Sequence, residues 1–260
     1  MRHRPLFFIL IIHWITSASA IFPYIVSSGL SFAPASDGGV LAPGMLPFWT
    51  ALAAFFILGE KLDQVRRTGL LIILIGALMV GLWQIIFNSD EGVWRGHILF
   101  LIGSGLFAIY SVIFRQSGLT PLHGLLIGLF WGTLFITPIL LLTGKVTFHD
   151  VSAFDIVFTI FIQSLVIGIL ATILFNYGVR LIGASEMGAF GALTPILAMM
   201  GGILFLNESV PAIKMAGIFL VAIGVFLASG ILKQKNNQKK IIIILCVVRQ
   251  KRVIITRLKI

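Results

Sequence analysis

Few side chains in this sequence could do chemistry, and those that could are scattered among long apolar stretches. The five histidines show no spacing that would set two of them on one metal ion. No Gly-x-Ser-x-Gly elbow presents a nucleophile, and no glycine-rich phosphate loop follows a strand. Asp90, Glu91 and Asp150 fall in polar connections without a partner. No catalytic residue, metal or cofactor is therefore expected, and the chain does not read as an enzyme. What remains suits the passage of a solute or a proton. His13 sits in the middle of an apolar run, where an imidazole either exchanges protons with a wet cavity or is a satisfied structural group. Gln163, Asn176 and Tyr177 make a later run unusually polar, and Trp14, Trp49 and Tyr110 are candidate aromatics for a cavity wall. Pro47 and Pro195 lie inside apolar runs, where each removes a backbone donor, bends a helix and frees carbonyls that can line a path.

These residues need elements to position them, and the composition says of what kind. Of 260 residues, 58% are hydrophobic and 11% are charged, against about 25% charged in soluble domains. A soluble globule of this size would leave large apolar patches exposed. The charges also cluster, leaving neutral windows at 5–36, 38–59, 68–89, 96–114, 116–144, 156–179, 187–207 and 215–232, each of at least 18 residues. That is the length at which an apolar stretch becomes a candidate transmembrane helix. Runs such as Leu70 to Leu74 lack the alternation of a barrel strand, and helices satisfy their own backbone groups in lipid. The expected fold is an all-α integral membrane bundle of about eight spans. Trp83 and Trp94, near span ends, read as interfacial anchors.

The net charge of +10 is a topology signal once its positions are considered. With each window crossing once, Arg2, Arg4, Lys61, Arg66, Arg67, Arg115 and Arg180 fall on the side of the N-terminus. Only Arg95, Lys145 and Lys214 fall on the other. Lys and Arg are enriched in cytoplasmic loops, so both termini are expected in the cytoplasm and the basic excess does not point to nucleic acid. Cys246 is the sole cysteine, which excludes an intrachain disulfide. The start of the chain has the outline of a signal peptide, with Arg2, His3 and Arg4 before an apolar run to Ala18-Ser19-Ala20. The run resumes at Ile21, and retention as a first span is the favoured reading.

The chain repeats itself. Pro47 and Pro195, Glu60 and Glu208, Gly69 and Gly217, and Gly76 and Gly224 are all 148 residues apart. Upstream, Ala35-Ser36-Asp37 and Gly39 match Ala184-Ser185-Glu186 and Gly188 at an offset of 149. The counterparts lie five spans apart, an odd number, so the two units run in opposite directions through the membrane. Inverted repeats are a signature of secondary transporters, whose substrate site lies near the midplane between the units. Glu60 and Glu208 each follow an apolar span. At such a boundary a carboxylate either interacts with the positive N-terminus of the following helix or couples protons when buried, and the first role is favoured.

The stretch from Pro47 through Gly59-Glu60 to Gly69 and Gly76, echoed from Thr194-Pro195 through Asn207-Glu208 to Gly217 and Gly224, resembles the EamA-type unit of the drug/metabolite transporter superfamily. The resemblance covers residues 5–232 and implies a carrier of two inverted five-helix units that moves small metabolites or drugs. It says almost nothing about the substrate. In this sequence the first unit (1–90) has three spans, apparently lacking two, and the second (91–233) has five. Residues 234–260 form a basic tail without an expected fold role, in which the apolar run Ile241 to Val248 is too short to cross a bilayer.

The expected function is a permease or exporter in the cytoplasmic membrane, working by alternating access around a midplane cavity between the units. Its partners would be a small-molecule solute and the bilayer. Gly124, Gly128 and Gly132 form a smooth ridge for close helix packing; if its partner helix is absent, the ridge faces lipid or a second copy of the chain, a homodimer. The alternative is a shortened, non-transporting membrane remnant or scaffold. An integral-membrane enzyme would need titratable residues clustered at one membrane face, and the sequence shows no such cluster.

Overall fold

The computed structural model describes residues 21–87, 92–117, 121–142, 151–171, 174 and 190–231. The described residues are helical, and each of the eight neutral windows contains a helix. They are α1 (Ile21–Leu30), α2 (Ala35–Gly39), α3 (Leu46–Leu58), α4 (Gln64–Phe87), α5 (Val93–Ser117), α6 (Pro121–Leu142), α7 (Ala153–Ile160), α8 (Leu193–Leu206) and α9 (Ala212–Ala228). A π-helical turn, Val40–Gly44, joins α2 to α3, and α7 continues as a π-helical stretch, Phe161–Ala171. Three of these segments are long and apolar enough to cross a membrane: Ala35–Leu58, Gln64–Trp83 and Val93–Ile113. The outward-facing surfaces are apolar, with residues such as Phe56, Leu71, Ile86, Phe130 and Phe205 exposed. That is the arrangement expected where lipid is the solvent. The chain is thus an all-α membrane bundle.

The core is held by α4 and α9, packed antiparallel along their length. A methyl group on Gly76 would lie 2.5 Å from the Gly217 carbonyl oxygen, and one on Gly69 would lie 2.8 Å from that of Gly224. The relation is reciprocal, since a methyl on Gly217 or Gly224 would meet the carbonyl of Gly76 or Gly69 at 2.8 and 2.7 Å. Small residues let two backbones approach where lipid gives helices no hydrophobic reason to associate. Ile73, Val80, Ile218, Val221 and Val225 fill the seam and are buried.

Helix ends are built alike at both repeat glutamates. Gly59 closes α3 with φ +67° and Asn207 closes α8 with φ 53°, the left-handed conformation that suits glycine and asparagine. The next amide then folds back over six residues: Glu60 N–H donates to Ala54 O at 3.3 Å and Glu208 N–H to Gly202 O at 3.0 Å. The break in the first long span lies at the π-helical turn, which contains Pro43. Its Ala42 carbonyl is taken up by the buried Ser104 hydroxyl, which donates at 2.7 Å. Pro47 does not make that break. It stands in the first turn of α3, where a missing amide hydrogen costs nothing.

Candidate functional site

The starts of α2, α5 and α9 converge at one end of the bundle. Each helix start carries a partial positive charge, so anions there are stabilised and cations are opposed. Asp37, in the first turn of α2, is fully buried at this point. Lys214, in the first turn of α9, is also buried, at 2% exposure, and its Nζ lies 2.5 Å from Asp37 Oδ1. The carboxylate offsets the opposing dipole of this ammonium's own helix. His97, near the start of α5, completes the cluster with Nε2 3.0 Å from Asp37 Oδ2. Because the carboxylate accepts, the geometry suits the tautomer with hydrogen on Nε2.

A second carboxylate reaches the same place from the other half of the chain. Glu208 Oε1 accepts the Ala35 amide at 2.6 Å and Oε2 accepts the Ser36 amide at 3.1 Å. It therefore caps α2, more than 170 residues away in sequence, and not the helix that follows it, α9. The expectation of a following-helix partner is corrected for a geometric reason. The left-handed turn at Asn207 sends the side chain back over Gly202 towards α2, which runs antiparallel to α8. A methyl on Gly202 would collide with that carboxylate, whereas the space beside Gly201 is open. Gly202→Ala should therefore displace Glu208 and cost about 0.5–2 kcal/mol, the range for loss of a helix cap. Gly201→Ala should be neutral or slightly stabilising. Paired unfolding titrations of the two variants check this, and equal effects would contradict it.

Beside the cluster lies an apolar cavity of about 370 Å³, walled by Leu41, Phe48, Trp49, Ala77, His97 and Leu101 among others. It sits between the π-helical turn with α3, α4 and α5. His97 is common to the cluster and to this wall.

The other residues singled out from sequence are placed as follows. Trp49 is half-buried in the cavity wall, and its indole nitrogen is buried without a hydrogen-bond partner among the described residues. Tyr110 is half-buried on α5, its ring centroid 5.7 Å from that of Phe107. Pro195 is buried in the first turn of α8, where α8 packs on α2 at Gly39. Glu60 is half-buried. Gln163 is exposed on the π-helical stretch after α7. Gly124, Gly128 and Gly132 all lie on α6, with Gly132 buried. His13, Trp14, Asn176 and Tyr177 lie outside the described residues. Among those described, no group of three or more His, Cys, Asp or Glu could hold a metal ion.

The cluster itself, Asp37, His97 and Lys214, is absent from the sequence-based candidates. Lys214 reads as a loop lysine in the charge count and is instead a buried helix residue. Two signals were available. Asp37 is the only charge between Arg4 and Glu60, and Asp37, His97 and Lys214 fall on the same side in that count.

The chain is similar to known transporters. It is 26% identical over 211 residues to the uncharacterized transporter YyaM of Bacillus subtilis, covering 78% of this chain and 67% of that protein. To the uncharacterized transporter YetK of the same organism it is 23% identical over 225 residues, covering 83% and 66%. To an uncharacterized transporter of Clostridium kluyveri it is 24% identical over 240 residues, covering 86% and 73%. The chain spans about two thirds of the length of the first two. The model of the EamA-like transporter family matches residues 94–230, more than half of the chain. With the apolar helices of the fold, that match places this multi-pass membrane protein in the EamA-like transporter family.

Proposed function

We propose that the protein is a secondary transporter of small organic solutes, working by alternating access between two inverted units, residues 1–90 and 91–233, in the cytoplasmic membrane with both termini in the cytoplasm. The observation that carries this reading is the reciprocal glycine seam. Gly69 meets Gly224, the counterpart of Gly76, while Gly76 meets Gly217, the counterpart of Gly69. Two equivalent elements packed antiparallel through equivalent positions are what a two-fold axis in the membrane plane produces. The matching turns at Glu60 and Glu208 support the same relation.

Such a seam is a natural pivot, since the two backbones touch and the apolar walls slide. The polar contacts lie at one end, where α2 of the first unit meets Glu208 and Lys214 of the second. Rocking about the seam closes or opens that end. The family match, together with the absence of a sequence motif for bond-breaking chemistry, favours transport over an enzymatic role. Residues 234–260 have no part in this mechanism, and the glycine ridge on α6, with Gly132 buried, serves helix packing.

The test is flux. The purified full-length protein, reconstituted in proteoliposomes, should move at least one solute from a broad panel of amino acids, nucleosides, organic acids and cationic drugs under a proton or solute gradient. Retention of the whole panel under both gradients would favour a non-transporting membrane scaffold.

A further inference from the structure

We propose that the Asp37 carboxylate is the cation-exchange site of the carrier, holding the Lys214 ammonium while this end of the bundle is closed and a proton when α2 and the α8–α9 turn part. The proposal rests on the transport reading above and adds the coupling cation and its residue. Asp37 belongs to the first unit and Lys214 to the second, so any movement of one unit against the other acts on this pair.

The wall around the pair is apolar among the described residues. Val40, Leu41 and Ala42 follow Asp37 in the chain and are buried, as are Phe100 on α5 and Ile218 on α9. A carboxylate parted from its ammonium in such surroundings must be neutralised or rehydrated. Among the described residues, the ionisable groups that meet it or the first turn of α2 are His97 from α5, Lys214 from α9 and Glu208 from the α8–α9 turn, whose oxygens are engaged with the Ala35 and Ser36 amides. Helices α3 and α8 and the π-helical turn carry no ionisable residue. Those of α4, Arg66 and Arg67, lie at its far end, beside the C-terminal end of α9. Arg95, also near the start of α5, is exposed, with its guanidinium 5.6 Å from the Trp94 ring centroid.

A metal ion is a poor replacement, because hard cations take about six or more oxygen ligands and the described residues of this wall offer no such set. A proton needs only one oxygen. It forms an O–H bond on Asp37, removes the charge and releases Lys214 from this contact. His97 acts as a positioning residue, holding Oδ2 through Nε2 while its other nitrogen is buried without a partner among the described residues. Protonation of Asp37 and opening of this end are then one linked event.

The experiment needs no transported solute. Ser36 is 1% exposed, and Ser36→Cys in a Cys246→Ser background places a single thiol beside the pair. Its reaction with a water-soluble maleimide is followed in nanodiscs at about pH 8 and pH 5, each rate divided by that of the SDS-unfolded protein at the same pH to remove the thiol's own titration. The normalised rate should rise about tenfold or more at the lower pH, as a population shift of that size implies. Asp37→Asn, which imitates the protonated carboxyl, should react at the high rate at both pH values. His97→Gln and Glu208→Gln should each retain the pH response. A flat profile in the parent overturns the proposal, as does loss of the response in either of those two variants, which would move the proton to the imidazole or to the cap. If Asp37→Asn does not fold, the parent and these two variants decide. Flux without a pH-dependent opening would leave the transport reading standing and remove this one; a pH-dependent opening without flux would keep Asp37 as a proton site of the bundle but overturn its role in a carrier.

Discussion

Lys214→Met should lower the stability of the protein by about 3–5 kcal/mol, the cost of leaving a buried charge without its partner. Asp37 is fully buried and its nearest described cation is the Lys214 ammonium, so removal of the lysine leaves a carboxylate with only His97 beside it among the described ionisable residues. Asp37→Asn should also be destabilising, because it removes the carboxylate that Lys214 Nζ meets at the positive end of its own helix. The double variant Asp37→Asn with Lys214→Met should be more stable than either single one, since a buried ion pair replaced by neutral groups of similar size is often close to neutral. Unfolding in a mixed detergent, followed by helical circular dichroism, gives the three numbers. A coupling near zero in this cycle would mean that the two charges do not depend on each other.

The second large effect is expected at the glycine seam. Gly76→Ala should destabilise by about 1–3 kcal/mol, as overpacking does in a close-packed interior, because the added methyl would meet the Gly217 carbonyl and Val221 at once. Backbone atoms cannot turn aside as a flexible side chain can, so the helices must separate. Gly81→Ala lies on the same helix, where nothing stands within 4 Å of the new methyl. It should be neutral or stabilising by up to about 1 kcal/mol, the gain in helix propensity. Both variants are read by the same unfolding titration, and equal effects would sink the seam as the main contact between α4 and α9.

Much of the architecture was legible because it is written in composition and register. Neutral windows of helical length mark the helices, and paired glycines and glutamates at a constant offset survive in an apolar chain where leucine matches mean little. The polar cluster was hidden for a different reason. Asp37 and Lys214 are distant in the chain, and nothing local says which charge at a span boundary turns inward. A charge count assigns sides; it does not assign burial. Glu208 illustrates the same limit, since its position after an apolar span announces a helix-terminus role but not which helix. That choice is made by the left-handed turn at Asn207 and by the direction of α8 against α2. The bend ascribed to Pro47 belongs to the π-helical turn around Pro43, because proline in a first helical turn removes no bond.

The inverted relation of the two units underlies the whole mechanism, and sidedness tests it most directly. Lys61 and Ser209 follow the two repeat glutamates and are exposed. The segment Ala35–Leu58 has 24 residues, roughly 35 Å at the rise of a helix, and Glu208 meets its beginning while Glu60 follows its end. Single cysteines at Lys61 and Ser209, in the Cys246→Ser background, can be labelled in sealed right-side-out and inverted vesicles with a membrane-impermeant maleimide. The account predicts that Lys61→Cys reacts only in inverted vesicles and Ser209→Cys only in right-side-out ones. Reaction of both from the same side would contradict it.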